Sequence, residues 1–183
     1  MLGKIRFYFI VNAMSQLPHL KYLTAYPESI QDQVRRLMKE GKLAAYIKKK
    51  YPQQHSISSD KALRSYVMDL KNQYLRKSAP LSQIAFDNHL HIVHNALGIH
   101  SRKNQVHGGK LKRKLEIKIS SQFKKAPAAF LEMIVVHELA HLKEMEHNKN
   151  FYKLCEYMLP NYHQCELDMR IYLTLIEEGA ATA

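Results

Sequence analysis

One stretch of this chain has no polar side, and that restricts the fold more than anything else in it. In AAFLEMIVVHELAHL, residues 128–142, the side chains of Phe130, Leu131, Ile134, Val135, Val136, Leu139 and Leu142 cover nearly every face of a helix. Such a helix has nothing to present to water and must lie at the centre of the molecule. Pro127 suits its first position, where the missing N–H costs no bond.

His137, Glu138 and His141 interrupt that apolar cylinder. Histidines at i and i+4 share a face and can both offer an imidazole nitrogen to one Zn²⁺, while the glutamate beside the first can reach the water that the metal activates. Polar groups set into an apolar helix need partners, and a metal supplies them. His137 and His141 are therefore expected zinc ligands, and Glu138 the expected general base.

A catalytic zinc takes three protein ligands and leaves its fourth position to water. Two candidates compete for the third place. His147 follows His141 by the spacing of the longer His-Glu-x-x-His-x-x-Gly-x-x-His pattern, with Glu144 where that pattern has Gly. On a continuous helix it would point about 240° round from His141 and lie about 9 Å further along, so it can coordinate only if the helix ends near Lys143 to Met145. A turn over Glu144 to His147, with Asn148 as the N-cap of the next helix, would do this and makes His147 the favoured ligand. The competitor is a carboxylate from a later helix, Glu166 first and Glu156 next.

Before the central helix, Ile30, Val34, Leu37 and Met38 mark a helix closed by Gly41, and Leu43, Tyr46 and Ile47 a short second one. Ser58, Ser59 and Asp60 offer N-caps for a third, striped by Leu63, Tyr66, Val67, Leu70 and Tyr74 and stopped by Pro80. The period then changes to two. Ile84 and Phe86 alternate, Asp87-Asn88 offers a turn, and Leu90 and Ile92 alternate again. After a Gly108-Gly109 turn, Lys114 to Ser120 reads as an antiparallel strand, with Leu115, Ile117 and Ile119 on the buried face and Lys114, Glu116 and Lys118 on the wet one. The expected fold is α+β: N-terminal helices, a small, mostly antiparallel sheet with an edge strand near 114–120, the central helix and C-terminal helices. With no internal repeat or Gly/Ser linker, residues 20–178 are expected to form one domain, and 1–19 an N-terminal extension in which Met14 is a candidate natural start.

Lys and Arg number 28 against 16 acids, and the excess is local: residues 61–126 hold 14 basic and 3 acidic side chains, residues 127–183 hold 4 and 9. An anionic partner facing the middle third is expected. Two cysteines, Cys155 and Cys165, exclude a four-cysteine zinc site and a disulfide framework, which favours a reducing, cytoplasmic setting. No apolar run approaches the roughly 20 residues of a membrane span. The short apolar run in KIRFYFIVNAM is broken by Asn12 and lacks a cleavage site, so a signal peptide is rejected.

The segment MIVVHELAHLKEMEHNKNFYKLCEYMLPNY, with Phe151 following the third histidine, resembles the YgjP-like metallopeptidase domain family, zincin-like hydrolases with a His-Glu-Leu-x-His helix. YPESIQDQVRRLMKEG, SDKALRSYVMDLKNQYLR, FDNHLHIVHNALGIH and GGKLKRKLEIKI extend the likeness to about residues 20–175. The resemblance implies a zincin-like fold, zinc held by His137, His141 and His147, and Glu138 as base. Many relatives carry Trp-Gly-Ser-Cys before the strand where this chain has Val106, His107, Gly108 and Gly109, so any substrate contact made there does not carry over. The family includes UTP pyrophosphatase activity, which implies a nucleoside triphosphate substrate releasing diphosphate. Residues 100–125, with nine Lys or Arg and one acid, could hold a triphosphate, Lys110, Lys112, Arg113 and Lys114 foremost, although a solvated strand face explains the same lysines.

The alternative is a metallopeptidase that binds an extended polypeptide along strand 114–120. A nucleic-acid-associated protease of the SprT-like type ranks lower, for want of a zinc ribbon or helix-turn-helix. His89, His91 and His94 could form a second metal site but read better as one exposed strand face. Tyr162, His163 and Arg170 could reach the site to stabilise an oxyanion, and Cys155 reads as a small buried hydrophobe.

Overall fold

A computed structural model describes residues 20–88, 90, 98–107 and 110–181, with the backbone alone for 98–114 and 180–181. The element order is α1 (Glu28–Lys39), α2 (Leu43–Lys50), α3 (Asp60–Tyr74), β1 (Leu81–Asp87), β2 (Gly98–His107), β3 (Lys110–Ser120), a 3-10 turn (Ser121–Lys125), α4 (Ala128–Ala140), α5 (Lys149–Met158) and α6 (Tyr162–Ala181). Two compact units emerge: among the described residues one comprises 20–49 and 170–181, the other Lys50 to Met169. Helix α6 begins in the second and ends in the first. Among the described residues no helix is long and apolar enough to cross a membrane.

In the first unit α1 buries Val34 and α2 buries Leu43 and Ile47. Gly41 joins the two helices at φ 65°, a backbone that L side chains rarely adopt. Its N–H donates to the Met38 carbonyl (2.9 Å) and that of Lys42 to the Leu37 carbonyl (2.8 Å), the paired bonds that satisfy the last carbonyls of a helix.

The second unit is built around α4. Phe130, Leu131, Met133, Ile134, Val135, Val136, Leu139 and Ala140 are all buried, as an all-round apolar helix requires. Its first turn is tied to the segment after α2, where the Gln53 carbonyl accepts from Ala128 N–H (2.9 Å). Asp168 of α6, fully buried, accepts from Tyr51 Oη (2.7 Å), Lys50 Nζ (2.6 Å) and Gln164 Nε2 (3.0 Å), and the Tyr51 ring packs on Phe130 at 4.6 Å. Ser59 caps α3 by accepting from Ala62 N–H, and α3 packs on β1.

The sheet departs from the sequence expectation in two respects. Its order is β1-β3-β2, so β3, expected at an edge near 114–120, is the central strand. It is also mixed rather than mostly antiparallel: β3 pairs with β2 antiparallel but with β1 parallel, Phe86 lying opposite Ile119. The reason is topological. Phe86 of β1 and Gly98 of β2 both pair with Ile119, one on each side of β3. Strand order of this kind leaves no trace in hydrophobic alternation. Leu115, Ile117 and Ile119 are buried as expected, but Glu116, expected on a wet face, is only 5% exposed. The expected strand at Leu90 and Ile92, the Gly108-Gly109 turn, and His89, His91 and His94 lie wholly or largely outside the described residues.

Gly41→Ala places a Cβ in open space but forces a left-handed backbone on alanine. Urea unfolding is expected to show a loss of about 1 kcal/mol with an unchanged denaturant slope.

Candidate metal centre

The end of α4 decides the site. The helix stops at Ala140, earlier than the expected break between Lys143 and Met145, because the chain tightens at once: His141 is the C-cap, Leu142 N–H donates to the Leu139 carbonyl, and Lys143 and Glu144 N–H both donate to that of Ala140. Asn148 then starts α5, its Oδ1 accepting from the N–H groups of Asn150 (2.8 Å) and Phe151 (3.0 Å). This short loop returns His147 to the two helical histidines. Its Nε2 stands 3.1 Å from that of His137 and 3.2 Å from that of His141, and the three nitrogens lie within 4.8 Å of one another. This is the arrangement of a metal-ion site.

The cluster has an apolar floor. Phe151 is fully buried, with its ring centroid 5.0, 4.7 and 4.7 Å from those of His137, His141 and His147. The outer nitrogens of the helical pair are also engaged: His141 Nδ1 meets the Glu144 carbonyl at 3.0 Å, and His137 Nδ1 meets the Tyr162 hydroxyl at 2.7 Å. Burial lowers the pKa of His141, against the pull of that carbonyl, and so favours the neutral ring that can lend a lone pair.

Glu138 points into the interior, 1% exposed, and its Oε2 has no hydrogen-bond partner among the described residues. Desolvation pushes its carboxyl up to about 8. A buried oxygen left without a partner is costly, and such oxygens in native folds generally answer to a ligand, ion or water.

The structure thus brings together His137, His141 and His147 and sets Glu138 beside His137 in the helix. Glu166 and Glu156 are not in the cluster. Glu166 is buried on α6, near enough to Tyr162 and Cys155 to act on both electrostatically, and Glu156 is exposed, 3.5 Å from His163. Tyr162 does reach the cluster: its hydroxyl lies 2.7 Å from the outer nitrogen, Nδ1, of His137. His163 is exposed, and Arg170 belongs to the other compact unit. Cys155 is buried, as expected, and burial pushes its thiol up to about 12. The Glu144 carbonyl was illegible in sequence, since a backbone group carries no residue signature.

The model of the YgjP-like metallopeptidase domain family matches residues 25–172. The chain is 50% identical over 163 residues to UTP pyrophosphatase of Escherichia coli (strain K12), which covers 89% of this chain and 98% of that protein. No solved structure matches the chain.

Asn148 holds the turn that presents both His147 and Phe151. Asn148→Ala is expected to lower stability by about 1 kcal/mol in denaturant unfolding. Asn148→Ser, which keeps a capping oxygen, should recover most of it.

Proposed function

The chain belongs to the YgjP-like metallopeptidase domain family, and on that footing we propose that it is a zinc-dependent hydrolase that cleaves a nucleoside triphosphate and releases diphosphate. The observation that carries the reading is the histidine triad with Glu138, next to His137 in α4, whose Oε2 has no hydrogen-bond partner among the described residues. The hydrolase domain is taken as residues 20–178, slightly wider than the matched span, with 1–19 as an extension.

His137, His141 and His147 would hold the ion through their Nε2 atoms. Three neutral imidazoles suit zinc, and nitrogens bound at about 2.0–2.1 Å to one tetrahedral ion stand about 3.3 Å apart. Two of the separations here are 3.1 and 3.2 Å. Bound there, zinc supplies Lewis acidity, lowering the pKa of water towards neutrality and polarising the attacked oxygen. Glu138 would take the proton of the attacking water and return it to the departing group. Its burial keeps competing solvent from that exchange.

A nucleotide is favoured by the name of the 50%-identical relative and by charge. The strands β2 and β3 carry most of the basic segment 100–125, and β2 lies beside α4. Two of its lysines are engaged within the protein, Lys118 with Asp87 at 3.0 Å and Lys124 over the Phe86 ring at 5.0 Å. Phosphate contacts are assigned, from the run of charge in the sequence, to Lys110, Lys112, Arg113 and Lys114 foremost. The second reading, a metallopeptidase, draws on the family's own description. It would need a free strand edge for an extended polypeptide, and β3, paired on both sides, does not offer one; β1 or β2 would have to serve.

Zinc-loaded protein incubated with a panel of nucleoside triphosphates and unstructured polypeptides separates the two. Diphosphate release without peptide cleavage is expected, and peptide cleavage alone would favour the second reading. Glu138→Gln should keep its metal while losing activity about 10²–10⁴-fold. His147→Ala should weaken zinc at least about tenfold in chelator competition, whereas Glu166→Gln should stay within about threefold of the parent.

A further inference from the structure

We propose that Tyr162 is a positioning residue of the metal centre, accepting the Nδ1–H of His137 and so fixing the tautomer that leaves Nε2 free for the ion. This rests on the reading of the triad as a metal site. An imidazole that binds through Nε2 must carry its proton on Nδ1, and that N–H needs an acceptor when it is buried. For His141 the acceptor is the Glu144 carbonyl, which can only accept, so its tautomer is settled by the backbone. For His137 the partner is a hydroxyl at 2.7 Å, which could donate as well as accept.

The direction of that bond depends on where the hydroxyl's own hydrogen goes. Tyr162 has a second partner in the thiol of Cys155, one helix away on α5. If O–H is donated to the sulfur, the oxygen's lone pairs face His137 Nδ1. Burial keeps Cys155 protonated, which suits it as an uncharged acceptor rather than a rival ligand. Tyr162 is fully buried, so water is not at hand to replace its hydroxyl, and its ring lies nearly parallel to that of His137, 18° apart with centroids at 6.4 Å. The triad is thereby supported from outside at two points: a backbone carbonyl behind His141 and a side chain of α6 behind His137.

Tyr162→Phe removes one oxygen and keeps the packing. Parent and variant are compared by zinc competition with a chelator, by the visible bands of the Co²⁺-loaded forms, and by thermal unfolding of the metal-free forms. The expected result is zinc binding about 10–100-fold weaker, with shifted cobalt bands at saturation and metal-free unfolding that changes much less. If the parent binds one zinc per chain and the variant matches it within about twofold with unchanged bands, the inference is wrong while the metal reading stands. If the parent binds no zinc, the metal reading itself has failed. Should the variant not fold, the parent still decides. NMR of its cobalt-loaded form should show two slowly exchanging, hyperfine-shifted imidazole N–H protons, held by Glu144 and Tyr162, and a single one would overturn the assignment.

Discussion

A helix that is apolar on every face can be stable only if the rest of the fold surrounds it. Each fully buried Val, Leu, Ile or Phe contributes about 1.5–3 kcal/mol, so α4 is the largest single claim on the interior of its unit. The sheet, the 3-10 turn, α5 and the start of α6 are the means of meeting it. Burying α4 also buries Glu138 and half-buries His137 and His141, which places ionisable groups where water cannot solvate them freely. The chemistry of the site follows from that enclosure, because carboxyl and imidazole groups taken out of water must find partners or give up their charge.

Only the end of α4 relaxes the constraint. By stopping at Ala140 the chain turns a rigid, buried helix into a short loop that is partly open to solvent, and His147 sits on that loop. His137 and His141 are thus held by the last turn of α4 and its C-cap, and His147 by a turn stabilised at its far side by the Asn148 cap and backed by Phe151. A site assembled this way combines a fixed floor with an accessible mouth, which suits a reaction whose substrate must come and go.

The elements that could be read from sequence are those specified locally. Helix α4 follows from its composition, α3 from the stripe of Leu63 and Val67 with Ser59 before it, and the turn of Gly41 from its lack of a side chain. The return of His147 was legible because spacing and helix geometry left few ways for three histidines to meet. Other features depend on which segments become neighbours, and periodicity is silent about that. The parallel pairing of β1 with β3 is one such case, and so is the burial of Glu116, which alternation alone assigns to water. Tyr162 lies near the motif in sequence, yet its bond to His137 depends on how α6 crosses α4.

Glu138 Oε2, without a hydrogen-bond partner among the described residues, has a consequence for heat tolerance. Without an ion, the fold encloses a carboxyl that would be better solvated in the open chain, together with imidazole nitrogens crowded at 3.1 and 3.2 Å. Metal that binds the folded form and not the open one shifts the folding equilibrium by mass action. On the metal reading proposed above, loading and durability become one property: a preparation stripped by a chelator would lose resistance to unfolding along with turnover, and a cell short of the metal would hold a pool of this protein more exposed to proteolysis.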